Sequence, residues 1–133
     1  MTSQKPEKTI LVVEDETPLS DAIKSKFERM GVVVILTRTV AQAKESLLAS
    51  PPDAVWLDHY LIGKEDGLDL IAFMRGEKTL KSIPVFVITN TGGYEKQTAY
   101  LRLGVVKYYI KSDVRLADVV SEIVAYLSGD QRQ

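Results

Sequence analysis

The sequence predicts an α/β domain, a parallel sheet covered by helices on both faces, and three observations carry that expectation. Five short apolar runs alternate with five segments of helical periodicity, with no internal repeat and no low-complexity linker. The runs cover residues 9–13, 32–36, 54–57, 85–88 and 108–110, lengths that suit strands and are too short for helices. Each run reaches the next through a helical segment, and such connections demand right-handed crossovers and parallel strands.

The elements follow from local chemistry. After the first run, Thr17 and Pro18 supply a cap and a first-turn proline, and Leu19, Ala22, Ile23, Phe27 and Met30 recur at helical spacing until Gly31 stops the helix. Residues 32–36 have the composition of a buried strand. Thr39 and Gln42 form a capping-box pattern ahead of Val40, Ala43 and Leu47, and Pro51 and Pro52 close that helix before the third strand. A shorter helix follows Gly67, with Leu68, Ile71 and Met74 facing inward. The fourth helix, near residues 94–103, is the weakest: Gly92 and Gly93 precede it and its apolar stripe is sparse, so it should shift at small cost. The fifth is the strongest, with Leu116, Val119, Val120, Ile123, Val124 and Leu127 in one stripe and Asp113 expected as its N-cap.

Composition bounds what such a domain can serve. With 133 residues, 45% apolar and 26% charged, the chain suits one globular domain, expected over residues 9–128 between short tails at 1–8 and 129–133. No output domain is expected in the second tail. The formal net charge of -1 gives no basic excess, which argues against direct nucleic-acid binding. Cysteine is absent, so there is neither a disulfide framework nor a thiolate metal site. No apolar run approaches a membrane span and the start lacks a secretory signal, so the expected location is the cytoplasm, with no membrane insertion.

The chemistry sits at the far ends of the runs. Glu14 and Asp15 follow the first, Asp58 the third, Thr89 the fourth and Lys111 the fifth. If these strands are parallel neighbours, all five groups meet in one crevice at the carboxyl edge of the sheet, an acidic pocket suited to a divalent cation and a phosphoryl group. Taken singly, each has a plainer reading. Acids before a helix favour its dipole alone, Thr89 suits a strand or turn, and Lys111 suits a solvated surface. Asp58 is harder to place that way, because a carboxylate near two other acids is costly unless a cation joins them. His59, the single histidine, reads as a loop residue, since no second ligand accompanies it at motif spacing.

Jointly, Val12-Val-Glu-Asp-Glu16, Val55-Trp-Leu-Asp58, Val87-Ile-Thr89 and Tyr108-Tyr-Ile-Lys111 resemble the receiver domains of two-component response regulators, over nearly the whole chain. The resemblance implies a flavodoxin-like, doubly wound sheet of five strands in the order 2-1-3-4-5, flanked by five helices. It implies that Asp58 accepts a phosphoryl group from the phosphohistidine of a sensor histidine kinase or a histidine phosphotransfer protein. Mg2+ would be bound by Asp15 and Asp58, by Glu14 through water, and by the backbone carbonyl of Tyr60. Lys111 and Thr89 would hold phosphoryl oxygens, and Tyr108, three residues before the lysine, would be the switch aromatic. A protein of this kind catalyses only its own phosphorylation and dephosphorylation, and signals by binding another protein.

Several positions depart from the family pattern. Ile62 stands where proline is frequent, and the loop 63–67 is one residue longer. Lys111 precedes Ser112 rather than proline, so a cis bond there would cost roughly 3 kcal/mol. Asn90 replaces a small residue, and Tyr60 and Thr91 occupy the two places that tune phosphoryl lifetime. Rival classes fit less well. An aspartate-based phosphatase would carry Asp-x-Asp after the first strand, where this chain has Glu14-Asp-Glu16. A cofactor binder needs a glycine-rich or hydroxyl-rich phosphate loop, where this chain is acidic. The alternatives left open are a degenerate receiver acting as an unphosphorylated interaction module and a phosphate-relay intermediate.

Overall fold

The computed structural model describes residues 7–90 and 93–129. Strands β1 (Thr9–Val13), β2 (Val33–Thr37), β3 (Ala54–Leu57), β4 (Val85–Thr89) and β5 (Lys107–Ile110) alternate with helices α1 (Thr17–Arg29), α2 (Val40–Ala49), α3 (Gly67–Arg75), α4 (Tyr94–Arg102) and α5 (Leu116–Leu127). All strand pairs are parallel, and the sheet runs β2-β1-β3-β4-β5. This is the expected flavodoxin-like order. The order reverses between β1 and β3, so the carboxyl ends of those two strands flank the crevice in which open α/β sheets place their sites.

Strand alternation divides the core in two. Leu11, Val13, Val55, Leu57, Val85, Val87 and Tyr108 point to the side covered by α2, α3 and α4. Ile10, Val12, Trp56, Phe86, Ile88 and Tyr109 point to the side covered by α1 and α5. Tyr108 and Tyr109 thus pack on opposite faces, as their adjacency requires. The three middle strands are buried along almost their whole length, which fixes the register and sets the polar groups that follow them at a common height.

Several local expectations need correction. The N-cap of α1 is Glu16, and Thr17 is already helical with Pro18 next to it, because Glu16 keeps extended backbone while the helix opens one residue earlier. Met30 lies beyond the last helical residue and is 47% exposed. Strand β2 is displaced by one residue from 32–36 and lies at the sheet edge, so Val33 is exposed and only Val34 and Thr37 within it are buried. In α3, Leu70 joins Ile71 and Met74 in the core while Leu68 is half-buried. Asp113 does not cap α5. Lys111–Asp113 form a 3-10 turn, which moves the cap to Arg115.

Other local readings agree with the structure in whole or in part. The expected Thr39 cap is present, its side chain accepting from the Gln42 amide at 3.1 Å, while Gln42 Oε1 accepts from the Arg38 amide at 2.8 Å rather than from that of the cap residue, so the expected box is half formed. A full capping box that the sequence reading did not include, Asp66 with Asp69, opens α3. In the longer loop before it, Gly63 takes φ of 112°, a conformation that disfavours any side chain. Among the described residues helix α4 is weakly held: its N-cap is Gly93, which has no side chain to cap with, and Tyr100 is its single buried residue. Gly92, the other half of the expected hinge, lies outside the described residues.

Gly67 carries a tight packing constraint. A Cβ there would fall on the Tyr100 hydroxyl and come within 3.2 Å of the Asp58 carbonyl oxygen. Gly67→Ala should therefore destabilise the fold by about 2 kcal/mol, since overpacking a rigid core site costs about 1–3 kcal/mol. Urea unfolding measures this, and a variant as stable as the parent would show that Tyr100 can move aside freely.

Candidate functional site

The crevice is built from loop residues placed by strand ends. Backbone bonds hold the loops at the same level: the Asp58 amide donates to the Val13 carbonyl at 3.1 Å, and the Glu14 amide to Thr37 at 3.0 Å. Glu14, Asp15 and Asp58 each offer one carboxylate oxygen within 4.8 Å of the others. Glu14 is 1% exposed and Asp58 5%, so this negative charge is largely withdrawn from water. Lys111, from the 3-10 turn after β5, reaches across the sheet and donates to Glu14 Oε1 at 3.1 Å and to Asp58 Oδ2 at 3.3 Å.

The charge balance is incomplete. Burial, and then the neighbouring Asp58 charge, push the Glu14 carboxyl up to about 6, even though Lys111 opposes both effects. Burial lowers the Lys111 pKa, but Asp58 and Glu14 outweigh it and the net shift is upward, so the ammonium stays charged. Among the described residues Lys111 pairs with two carboxylates of a cluster of three. Such a cluster fits a divalent cation bound by few carboxylates, with its other positions open to water or phosphate oxygens.

Thr89 ends β4 with no exposed surface, and its Oγ1 has no hydrogen-bond partner among the described residues. A buried hydroxyl without a partner is uncommon and points to a group that arrives later. Tyr108 lies in β5, buried against Tyr100 with ring centroids 5.7 Å apart. The Tyr60 amide faces Asp58 Oδ1 at 3.4 Å while its ring is half exposed. Asn90 is exposed directly after β4, and Thr91 lies outside the described residues. The Lys111–Ser112 bond is trans, as no cis peptide occurs among the described residues.

Three residues near the site are absent from the sequence-based set. His59 is a loop residue as expected, but it is 5% exposed, its Nδ1 2.6 Å from the Tyr100 hydroxyl and its Nε2 3.8 Å from Asp66. Burial pushes its imidazole below the ordinary range, against the pull of Asp66. Lys96 of α4 donates to the Tyr60 hydroxyl at 2.7 Å. The usable signal was the spacing of Lys96 and Tyr100, one turn apart on an otherwise polar helix.

The comparisons with known proteins agree with this geometry. The model of the response regulator receiver domain matches residues 10–123. The transcriptional regulatory protein QseB of Escherichia coli O157:H7 is 37% identical over 102 residues, which are 77% of this chain and 45% of that protein. The chain thus spans about half the length of that relative. Chemotaxis protein CheY1 of Helicobacter pylori is 30% identical over 103 residues, 77% of this chain and 83% of that protein. Among solved structures, the Mn(2+)-bound form of response regulator Rcp1 is 27% identical with a TM-score of 0.80, covering 90% of this chain and 93% of that one. A CheY-like receiver domain from Methanospirillum hungatei JF-1, 21% identical, shares the fold with a TM-score of 0.84 over 93% of this chain and 96% of its own. With its acidic pocket at the carboxyl edge of a 2-1-3-4-5 sheet, the chain belongs to the response regulator receiver domain family of two-component signalling.

Proposed function

We propose that this receiver accepts a phosphoryl group on Asp58 from the phosphohistidine of a sensor histidine kinase or histidine phosphotransfer protein, and signals through a protein contact that depends on the modification. The observation that carries this reading is the Lys111 ammonium shared between Glu14 and Asp58 beside a third carboxylate, Asp15. Asp58 Oδ would attack phosphorus in line, forming the O–P bond as the P–N bond breaks, and the donor ring, protonated from water on its other nitrogen, would leave with that electron pair as neutral imidazole. Such a transfer is mostly positioning and charge neutralisation. Mg2+, held by Asp15, Asp58, the Tyr60 carbonyl and, through water, Glu14, would neutralise the phosphoryl oxygens. Lys111 would exchange its Asp58 contact for a phosphoryl oxygen.

The Thr89 hydroxyl would supply a further donor to the phosphoryl group. Its inward movement would alter the packing of Tyr108, which already touches Tyr100, and so the face made by α4, β5 and α5. Among the described residues no helix is long and apolar enough to cross a membrane. We place the protein in the cytoplasm, where ATP-fed histidine kinases act, with no nucleic-acid contact of its own. Acetyl phosphate with Mg2+ tests the reading: intact-mass analysis should find one phosphoryl group per chain, and none when a chelator is added. Labelling unaffected by the chelator would overturn the metal assignment, and no labelling would favour the unphosphorylated module.

Tyr60 should govern lifetime in that state. Its side chain offers neither amide nor carboxylate to orient an attacking water, and it stands two residues from Asp58. Tyr60→Asn should shorten the half-life of the phosphorylated protein by about ten-fold, a change of about 1.4 kcal/mol in the barrier. An unchanged half-life, followed by mass after donor removal, would show that the ring does not restrain water.

A further inference from the structure

Two side chains of α4 grip the two residues that follow Asp58. Lys96 and Tyr100 lie four residues apart and therefore share one face of the helix. Lys96 Nζ donates to the Tyr60 hydroxyl at 2.7 Å and sits 4.6 Å from the centre of its ring, a hydrogen bond reinforced by a cation–π contact. One turn later, the Tyr100 hydroxyl lies 2.6 Å from His59 Nδ1, and the two rings meet edge to face at 5.6 Å. His59 and Tyr60 also pack edge to face, at 4.7 Å. Lys96, Tyr60, His59 and Tyr100 thus form a closed ring of contacts, completed by a single turn of α4.

This ring leads directly to the chemistry. The Tyr60 amide faces Asp58 Oδ1, and the Tyr100 hydroxyl occupies the notch that Gly67 leaves beside the Asp58 carbonyl. Among the described residues the rest of α4 contributes little to its anchoring, since its N-cap is Gly93, which has no side chain to cap with, and Tyr100 is its single buried residue. Displacing α4 must open the clasp, and opening the clasp removes the Lys96 contact from Tyr60.

We propose that Lys96 and Tyr100 are positioning residues for phosphoryl retention on Asp58, acting through their contacts to Tyr60 and His59. The inference rests on the reading of Asp58 as phosphoacceptor. With the clasp closed, Tyr60 is held between Lys96 and His59 at the site, and water reaches the acyl phosphate slowly. With it open, Tyr60 loses the Lys96 contact and hydrolysis speeds up. The coupling is reciprocal: whatever free energy favours the closed clasp in the phosphorylated state resists movement of α4 by the same amount.

The test follows loss of the phosphoryl group from the full chain after labelling with acetyl phosphate and Mg2+, by intact mass, beside thermal melts of the same proteins. Tyr100→Phe and Lys96→Met should each lose phosphate about five-fold faster, the factor expected for one hydrogen bond. Lys96→Arg, which keeps a donor and a cation over the ring, should restore the parent rate. A purely structural role would lower the melting temperature of Tyr100→Phe and leave the decay of Lys96→Met at the parent rate, and that result overturns the clasp. Failure of the parent protein to take any label overturns the phosphoacceptor reading, and the clasp with it.

Discussion

Asp58→Asn should take up no phosphoryl group from acetyl phosphate under conditions that label the parent chain fully, and it should do so while folding at least as well. The first half follows from chemistry: an amide oxygen is neither a competent nucleophile for phosphorus nor an anionic partner for the metal that would hold the donor. The second half follows from charge. Asp58 is the neighbour whose negative charge adds to burial in raising the Glu14 pKa, so removing that charge relieves repulsion in the buried cluster. The Lys111 contact to Asp58 at 3.3 Å is lost as an ion pair, but the shorter contact to Glu14 at 3.1 Å survives. We expect Asp58→Asn to be more stable than the parent by about 1 kcal/mol in the absence of divalent cations, with the difference shrinking or reversing in Mg2+. Full labelling of Asp58→Asn would place the phosphoacceptor elsewhere, and a variant that unfolds would mean that Asp58 has a structural role the charge argument misses.

The places of the candidate site residues in the fold were legible for the same reason the strands were. In a sheet buried on both faces, a polar residue can follow an apolar run only where the strand leaves the core, so Asp58 and Lys111 mark strand ends, and strand ends in a parallel sheet share one edge. Thr89 is the exception that fits: it belongs to β4 itself, and its hydroxyl is buried without a partner among the described residues. What was not legible depends on distance along the chain. The His59 partner lies 41 residues away, and nothing local distinguishes this histidine from a solvated loop residue. Helix caps failed where tertiary placement prevailed over local pattern: the turn that delivers Lys111 to the acids also takes up Asp113, so the best local cap before α5 does not serve as one. Edge position, too, is invisible in composition. Residues 32–36 look like a central strand, yet topology puts β2 at the border and exposes Val33.

Lys111→Met should produce the largest loss of stability at this site, and the loss should depend on pH in a defined direction. The lysine is bonded to two buried carboxylates, and removing one partner of a buried ion pair costs about 3–5 kcal/mol. Its own raised pKa means that its contribution is complete below the ordinary lysine range and is lost only in strongly alkaline solution, so it is constant near neutrality. Glu14 sets the slope. Its folded pKa of about 6 lies above the 4.5 of the unfolded chain, so between those values the folded protein holds the extra proton and stability falls as pH rises, by roughly 2 kcal/mol in all. Without Lys111 the Glu14 pKa rises further, which extends that decline through neutral pH and makes the variant much weaker at pH 8 than at pH 5. A divalent cation replaces both the missing ammonium and the proton, so Mg2+ should recover more stability in Lys111→Met than in the parent, and more at pH 8 than at pH 5. Thermal or urea unfolding at the two pH values, with and without Mg2+, gives all four comparisons. Equal pH slopes for variant and parent would show that Lys111 does not govern the ionisation of Glu14, and that the acid cluster is neutralised by some other group.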